Sequence, residues 1–251
     1  MASVLITGAS KGIGRAIATE TAKRGHRVVA TARDPRTLDD LDADQRLALD
    51  VTDPESIAAA VAAAGEVDTL VSNAGVIFYA AVEATPPEEL ARLFDRNTLG
   101  ALRVAQAVLP GMRARGSGRL LFMSSVVGRL VLPPNAAYAA TKWALEALVE
   151  ALAVETAPLG LQTALLEPGA VSSGALDDVD WFRLPGDPYA HLGTGRIDGR
   201  TFVTPEEVAA EVADAVEAEH LPLRIPVGGP ARALLAARRA APDDVPFVPG
   251  R

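Results

Sequence analysis

Short apolar runs, each closed by glycine or a polar turn and followed by residues at helical spacing, recur along the chain. Ser3-Val-Leu-Ile-Thr7 is the first; it stops at glycine, and from Gly12 to Arg24 the apolar Ile13, Ile17 and Ala18 share one helical face. Arg27 to Thr31, Arg46 to Leu49 and Asp68 to Ser72 read as the second, third and fourth strands. Between the third and fourth, Asp53-Pro54-Glu55-Ser56 opens an alanine-rich helix, with Asp53 as its cap and Pro54 at the first helical position. Pro87 to Arg96 and Thr98 to Arg113 read as helices, Arg119 to Met123 as the fifth strand, Ala137 to Thr156 as a long helix and Leu161 to Leu166 as the sixth strand. Thr204-Pro205-Glu206-Glu207 is a capping box ahead of another helix, and Leu223 to Val227 is the seventh strand, before a short Ala/Arg helix and a Pro-rich tail. Strands this apolar, alternating with helices, predict an α/β fold: a doubly wound, seven-stranded parallel sheet with helices on both faces.

Two stretches depart from that rhythm. The helix from 137 to 156 is apolar nearly all round, its charges confined to a narrow row of Lys142, Glu146 and Glu150. Such a helix is buried on two sides. One side faces the sheet and the other a partner subunit, so a homodimer or homotetramer through the helices at about 98–113 and 137–156 is expected. From Ser172 to Arg200 the composition shifts to Gly, Asp, Pro and scattered aromatics without a period. This reads as a substrate-binding loop or lid within one domain covering residues 1–251.

Composition narrows the function classes. At 251 residues, 49% hydrophobic and 22% charged, the chain has ample core for a single unit. A net charge of −8, with no dense Lys/Arg stripe outside a short C-terminal segment, argues against nucleic-acid partners and anionic membrane surfaces. The absence of cysteine excludes disulfides, thiolate metal sites and a cysteine nucleophile. His26, His191 and His220 lack ligand spacing, so no metal is expected. Met1-Ala-Ser runs straight into the first strand, and no uncharged apolar run reaches the roughly 18 residues that span a bilayer. A cytoplasmic protein is expected.

The candidate chemistry sits in the long helix and the first turn. Tyr138 and Lys142 are four positions apart, hence on one helical face one turn apart. A phenol has an ordinary pKa near ~10, and a neighbouring cation lowers it toward the range useful for proton transfer. Taken alone, such a pair reads more readily as a surface pair. Yet Lys142 is one of only three lysines, with Lys11 and Lys23, in a chain whose other basic positions are arginine, and a compact ammonium suits a proton relay better than a guanidinium. Thr7-Gly-Ala-Ser-Lys-Gly-Ile-Gly14 lies between strand and helix, so the backbone of Gly8, Ser10, Lys11, Gly12, Ile13 and Gly14 can hold a pyrophosphate at a helix N-terminus. A tight turn with no ligand is the plainer alternative. At the end of the second strand, where an NAD site carries an acidic residue, stand Ala32 and Arg33. With Arg33 and Lys11 able to neutralise a 2′-phosphate, NADP(H) is expected ahead of NAD(H), unless Arg33 is simply solvated.

Together these features resemble the short-chain dehydrogenase/reductase family over residues 3 to 228. Thr7 to Gly14 matches its TGxxxGxG, Ser72-Asn73-Ala74-Gly75 its NNAG, and Tyr138 to Lys142 its YxxxK. Ser125 stands thirteen residues before the tyrosine, Pro168-Gly169 matches the family's PG, and Asn97 falls at its fourth catalytic position. Within the family, Asn97 through Leu176 is most similar to the 17-beta-hydroxysteroid dehydrogenases and related carbonyl reductases. The resemblance implies a single Rossmann domain in which Tyr138 is the general acid in reduction and the base in oxidation. It makes Ser125 the residue that orients the carbonyl, Lys142 the one that lowers the tyrosine pKa and holds the nicotinamide ribose, and Asn97 the anchor of a relay water. Asp50 and Val51 would meet the adenine, Asn73, Ala74 and Gly75 would support the sheet and cofactor ribose, and the backbone from Pro168 and Gly169 through Val171 and Ser173 would bind the carboxamide. Ser72 and Ser173 depart from the family's asparagine and threonine, and Ser124 competes with Ser125, although the spacing favours Ser125.

The expected activity is therefore an NADP(H)-dependent interconversion of a ketone or aldehyde and an alcohol, of the carbonyl reductase or alcohol dehydrogenase type. The alternatives are an NAD(H)-dependent alcohol dehydrogenase working oxidatively and a non-catalytic dinucleotide-sensing regulator, the latter disfavoured by the complete set of proton-transfer residues. Trp181, Phe182 and Tyr189, with Phe78 and Leu132, point to a pocket for a bulky or hydrophobic carbonyl, while His191 is either structural or a ligand for a substrate hydroxyl.

Overall fold

The computed structural model describes residues 1–174, 179–192, 202–247 and 249. The expected stretches fold into strands β1 (Ser3–Ile6), β2 (Arg27–Ala32), β3 (Gln45–Ala48), β4 (Thr69–Ser72), β6 (Gly118–Met123), β7 (Leu161–Pro168) and β9 (Arg224–Val227). All pair in parallel, in the order β3-β2-β1-β4-β6-β7-β9. Two two-residue strands, β5 (Phe78–Tyr79) and β8 (Asp180–Trp181), form a separate parallel pair.

Side-chain alternation along the strands divides the core into two layers. On β1, Val4 and Ile6 enter one layer with Ile17 and Ala18 of α1 (Gly12–Lys23) and Val208 and Val212 of α6 (Pro205–Glu217). Leu5 enters the other, with Ile57 of α2 (Pro54–Ala64), Val104 and Val108 of α4 (Gly100–Arg115) and Leu145 and Val149 of α5 (Ala136–Thr156). Each fully buried Val, Leu or Ile side chain of these layers contributes about 1.5–3 kcal/mol. The helix starts follow the sequence: Asp53 accepts from the Glu55 N–H at 2.9 Å, and Thr204 and Glu207 cap reciprocally.

Three features differ from the sequence reading. α3 (Pro87–Phe94) and α4 do not break at Asn97; a π-helical turn, Asp95–Leu99, joins them. Lys142 is not the surface residue that the Tyr138–Lys142 pair suggests when taken alone: Lys142 and Glu146 are buried, and of the charged row on this helix only Glu150 is exposed. Part of the irregular segment is ordered: β8 pairs with β5, and a 3₁₀ turn covers Ala190–Leu192. Residues 175–178, which include Leu176, and 193–200 lie outside the described residues. The last helix, α7 (Gly229–Ala240), packs Ala231 and Leu235 beside Val126, Val127 and Leu130.

Candidate active site

The chain builds β1 to β3 outward on one side and β4 to β9 on the other, so the strand order reverses between β1 and β4. Ligands of open α/β sheets bind at such a switch point. Here α1 starts immediately after the glycine turn. Its cap residue Lys11 supplies no side-chain cap and its first turn contains no acid, so the leading N–H groups present a partial positive charge to an anion. Gly8 and Gly12 take φ of 70° and 55°, a region that L side chains rarely enter. A Cβ at Gly14 would lie 2.2 Å from the Gly8 carbonyl oxygen. Asn73 braces the turn by donating through Nδ2 to the carbonyls of Thr7 (3.0 Å) and Gly8 (3.3 Å). Thr7 Oγ1 accepts from the N–H groups of Asn73 and Ala74 at 2.9 and 3.0 Å, binding β1 to the end of β4.

One cleft of about 450 Å3 runs from this turn to the N-terminal end of α5. The glycine-turn residues Gly8, Ser10, Lys11, Gly12, Ile13 and Gly14 line one part of it, with Arg33, Asp50 and Val51. Asn73, Ala74, Gly75, Ser125, Tyr138, Lys142, Pro168, Gly169, Val171 and Ser173 line the rest. Asp50 closes a local turn by accepting from the Thr52 N–H (2.9 Å) and hydroxyl (2.8 Å), which hold its carboxyl below the usual range, with Arg96 and Arg33 acting the same way.

Ser125, two residues past the end of β6, caps a 3₁₀ turn, Val126–Gly128; its hydroxyl donates to the Pro168 carbonyl at 3.3 Å and accepts from the Val127 N–H at 3.4 Å. Ser124 also lines the cleft, but its hydroxyl donates to Glu146 Oε1 at 2.5 Å, whereas that of Ser125 donates to the Pro168 carbonyl. Tyr138 is half-buried in the first turn of α5. Burial pushes its phenol above the ordinary value, Tyr79 adds to the rise, and hydrogen bonding with the Ser125 hydroxyl pulls the other way. The direction is opposite to the one expected from the Tyr138–Lys142 spacing. Lys142 is 4% exposed; its ammonium donates to the Met123 carbonyl at 2.7 Å and stands 5.7 Å from the centre of the Tyr138 ring. Burial pulls the ammonium down to about 8, while Glu146 pushes it up.

Asn97 does not line the cleft. It is 1% exposed in the π-turn, accepts from the Val76 N–H and donates to the Val76 carbonyl, both at 2.9 Å, and donates to Thr141 Oγ1 at 3.1 Å. Its side chain thus fastens the segment after β4 to α5 behind Tyr138.

The family model described as short chain dehydrogenase matches residues 2–181. The chain belongs to that family, and it is an oxidoreductase. Relatives include 17-beta-hydroxysteroid dehydrogenase type 1 of Homo sapiens, 41% identical over 70% of this chain but only 58% of that longer protein. Another is the 3-ketodihydrosphingosine reductase of Bacteroides thetaiotaomicron, 31% identical over 96% of this chain and 94% of that one. Among solved structures, a short-chain dehydrogenase from Streptomyces avermitilis superposes with a TM-score of 0.87 at 38% identity, covering 95% of this chain and 92% of that one. An alcohol dehydrogenase from Thermococcus sibiricus complexed with 5-hydroxy-NADP reaches 0.72 at 26% identity, over 90% and 95% of the two chains. A 3-ketoacyl-(acyl-carrier-protein) reductase from Brucella melitensis complexed with NADH reaches 0.72 at 28%, over 85% and 89%.

Within this short-chain dehydrogenase the aromatic residues singled out from the sequence are dispersed. Leu132 lines the cleft, whereas Phe78 is buried beside Leu93 and Ala137. Trp181 meets the cleft only through Tyr79, their ring centres 4.7 Å apart, and Phe182 is exposed. Tyr189 hydrogen-bonds Glu83, and His191 is exposed beside it, in keeping with the solvated reading. Tyr79 itself is a cleft residue the sequence did not announce, because a two-residue strand carries no period. Asn135, three residues before Tyr138, is another: it lines the cleft with its buried Oδ1 unpartnered.

Proposed function

We propose that the chain is an NADP(H)-dependent carbonyl reductase that interconverts a ketone or aldehyde and an alcohol, the carbonyl compound being bulky or hydrophobic. The observation that carries this reading is the convergence of Ser125, Tyr138 and Lys142 on the same cleft as the uncapped N-terminus of α1. The donors fit a dinucleotide: N–H groups of the glycine turn for the pyrophosphate, Arg33 and Lys11 for a 2′-phosphate, Asp50 and Val51 for the adenine, Asn73 and Lys142 for the ribose, and the backbone from Pro168 to Ser173 for the carboxamide. When bound, the dinucleotide supplies the hydride. Related structures hold either NADP-type or NADH cofactors, so the choice of NADP rests on Arg33 and on the missing carboxylate at the end of β2.

Tyr138, its phenol raised by burial, keeps its proton at neutral pH and donates it to the carbonyl oxygen as negative charge develops there. Ser125 exchanges its 3.3 Å bond to the Pro168 carbonyl for one to the same oxygen. The Lys142 ammonium beside the ring then favours the phenolate left behind. Tyr79, Leu132, Val127 and Ile77 form the apolar wall for the rest of the substrate.

The test is NADPH oxidation over a panel of steroid, polyketide-like, sugar and aryl carbonyls. Tyr138→Phe should lower kcat about 100- to 10,000-fold with NADPH binding retained. Near-normal turnover refutes the role of Tyr138, and a clear NADH preference in KM refutes the cofactor assignment. Cofactor binding with no turnover on any carbonyl favours the regulator.

A further inference from the structure

Directly behind Ser125 lies a polar cluster that the reaction does not use. Glu167 is 1% exposed at the end of β7, and Glu146 is 4% exposed on α5, one turn beyond Lys142. Two arginines answer them. Arg224 of β9 bonds Glu146 at 2.8 Å through Nε, which is also 3.9 Å from Glu167, and bonds Glu150 at 2.5 Å through Nη2. Arg129, just past the 3₁₀ turn, reaches Glu167 at 3.4 Å. Gly128 closes the packing, since a Cβ there would meet Ser124 Oγ at 2.8 Å and Glu146 Cγ at 3.0 Å.

Two buried carboxylates are costly, and apolar side chains of the same volume would serve stability at least as well. The arrangement has a different consequence. The segment Ser124–Arg129 is pinned at three points: Ser124 to Glu146, Ser125 to the carbonyl of Pro168, and Arg129 to Glu167. Glu167 governs two of them, being bonded to Arg129 and covalently joined to Pro168. We propose that Glu167, acting with Arg129, is a positioning residue for Ser125, clamping the Ser124–Arg129 segment so that the serine hydroxyl is held toward the substrate oxygen. This rests on the catalytic role proposed for Ser125.

The charged groups facing Glu167 are Glu146 from α5, Arg129 from the serine segment and Arg224 from β9, with Glu150 meeting only Arg224, while α7 presents Ala231 and Leu235 to that segment. Burial, then repulsion from Glu146, pushes the Glu167 carboxyl up to about 7, with Arg129 and Arg224 opposing. Below that pH it is protonated and the pair with Arg129 is lost. The raised value also means that the native state binds this proton more tightly than the unfolded chain. Glu167 therefore costs stability progressively as pH rises from the ordinary carboxylate range through about 7, and the full cost is present above it.

The experiment compares wild type, Glu167→Gln, Ser125→Ala, the double variant and Arg129→Met, with NADPH and the best carbonyl from the panel. A small displacement of a positioned group costs up to about 100-fold, so Glu167→Gln should lose about ten- to a hundredfold in kcat, with NADPH affinity unchanged. Wild-type kcat should fall as pH drops through about 7, and that limb should vanish in Glu167→Gln. In the Ser125→Ala background the second substitution should have little further effect, because both act through one hydroxyl. Arg129→Met should reproduce the loss, and Glu167→Gln should melt no lower than wild type at pH ~8.

Wild-type kcat and an intact acid limb in Glu167→Gln would overturn the proposal, as would losses that multiply in full on Ser125→Ala. So would a lowered melting point with proportional loss of cofactor affinity, which would make the cluster merely structural. Should Glu167→Gln not fold, Arg129→Met decides by the same kcat, affinity and Ser125→Ala criteria. A wild-type protein that turns over no carbonyl refutes the enzymatic reading instead and takes this inference with it.

Discussion

Lys142 shows what a single residue gains from its surroundings. On the sequence it is a lysine four residues after a tyrosine; in the fold it is a buried ammonium bonded to the Met123 carbonyl, 5.7 Å from the centre of the Tyr138 ring, with Glu146 one turn away sustaining its charge. Because the same ammonium is proposed to serve both phenol and ribose, Lys142→Ala should reduce kcat about 100-fold or more and weaken NADPH binding in parallel, as measured by steady-state kinetics and cofactor fluorescence. A loss confined to kcat would remove the ribose role. The pairing of Tyr138 with Lys142 was legible in their spacing. The upward shift of the phenol was not, because it comes from burial, which periodicity does not encode. The choice of Ser125 over Ser124 was likewise hinted at by spacing, and direction favours it, since Glu146 takes the Ser124 hydroxyl.

At the scale of elements, the glycine turn was the most legible feature, since a strand that stops at glycine and restarts as a helix leaves few geometries open. Its third glycine has a packing reason the motif alone does not give: a Cβ at Gly14 would collide with the Gly8 carbonyl at 2.2 Å and with Asn73 Nδ2 at 2.5 Å. Gly14→Ala should therefore push α1 off β4, abolish cofactor binding and lower the thermal midpoint; unchanged NADPH affinity would contradict this account of the turn. The π-turn at Asp95–Leu99 was not legible. A 3.6-residue period that slips at Asn97 reads as the end of one helix and the start of another, whereas the chain continues and uses the slip to seat Asn97 against Val76 and Thr141. The pair β5·β8 was hidden for a related reason: each strand is two residues long and its partner is about 100 residues away in sequence.

For the molecule as a whole, α5 leaves Trp143, Leu148 and Val154 at 46%, 40% and 73% exposure, while its opposite side is buried against the sheet. This apolar outer face supports the expected homodimer or homotetramer through α4 and α5. Leu148→Arg combined with Val154→Asp should convert the assembly to monomers in light scattering, and a wild-type protein that is monomeric at micromolar concentration would refute the interface. No helix among the described residues is long and apolar enough to cross a membrane. The sequence by itself determined the parallel α/β sheet, the glycine turn and the residue types of the cleft, because these follow from local periodicity, the stereochemistry of glycine and motif spacing. Only the tertiary structure decided that Asn97 lies behind the cleft, that Tyr79 lines it, and that Glu146 and Glu167 gather around Arg224. Those relations join residues far apart in the chain, and burial, which shifts their charges, exists only once the chain has folded.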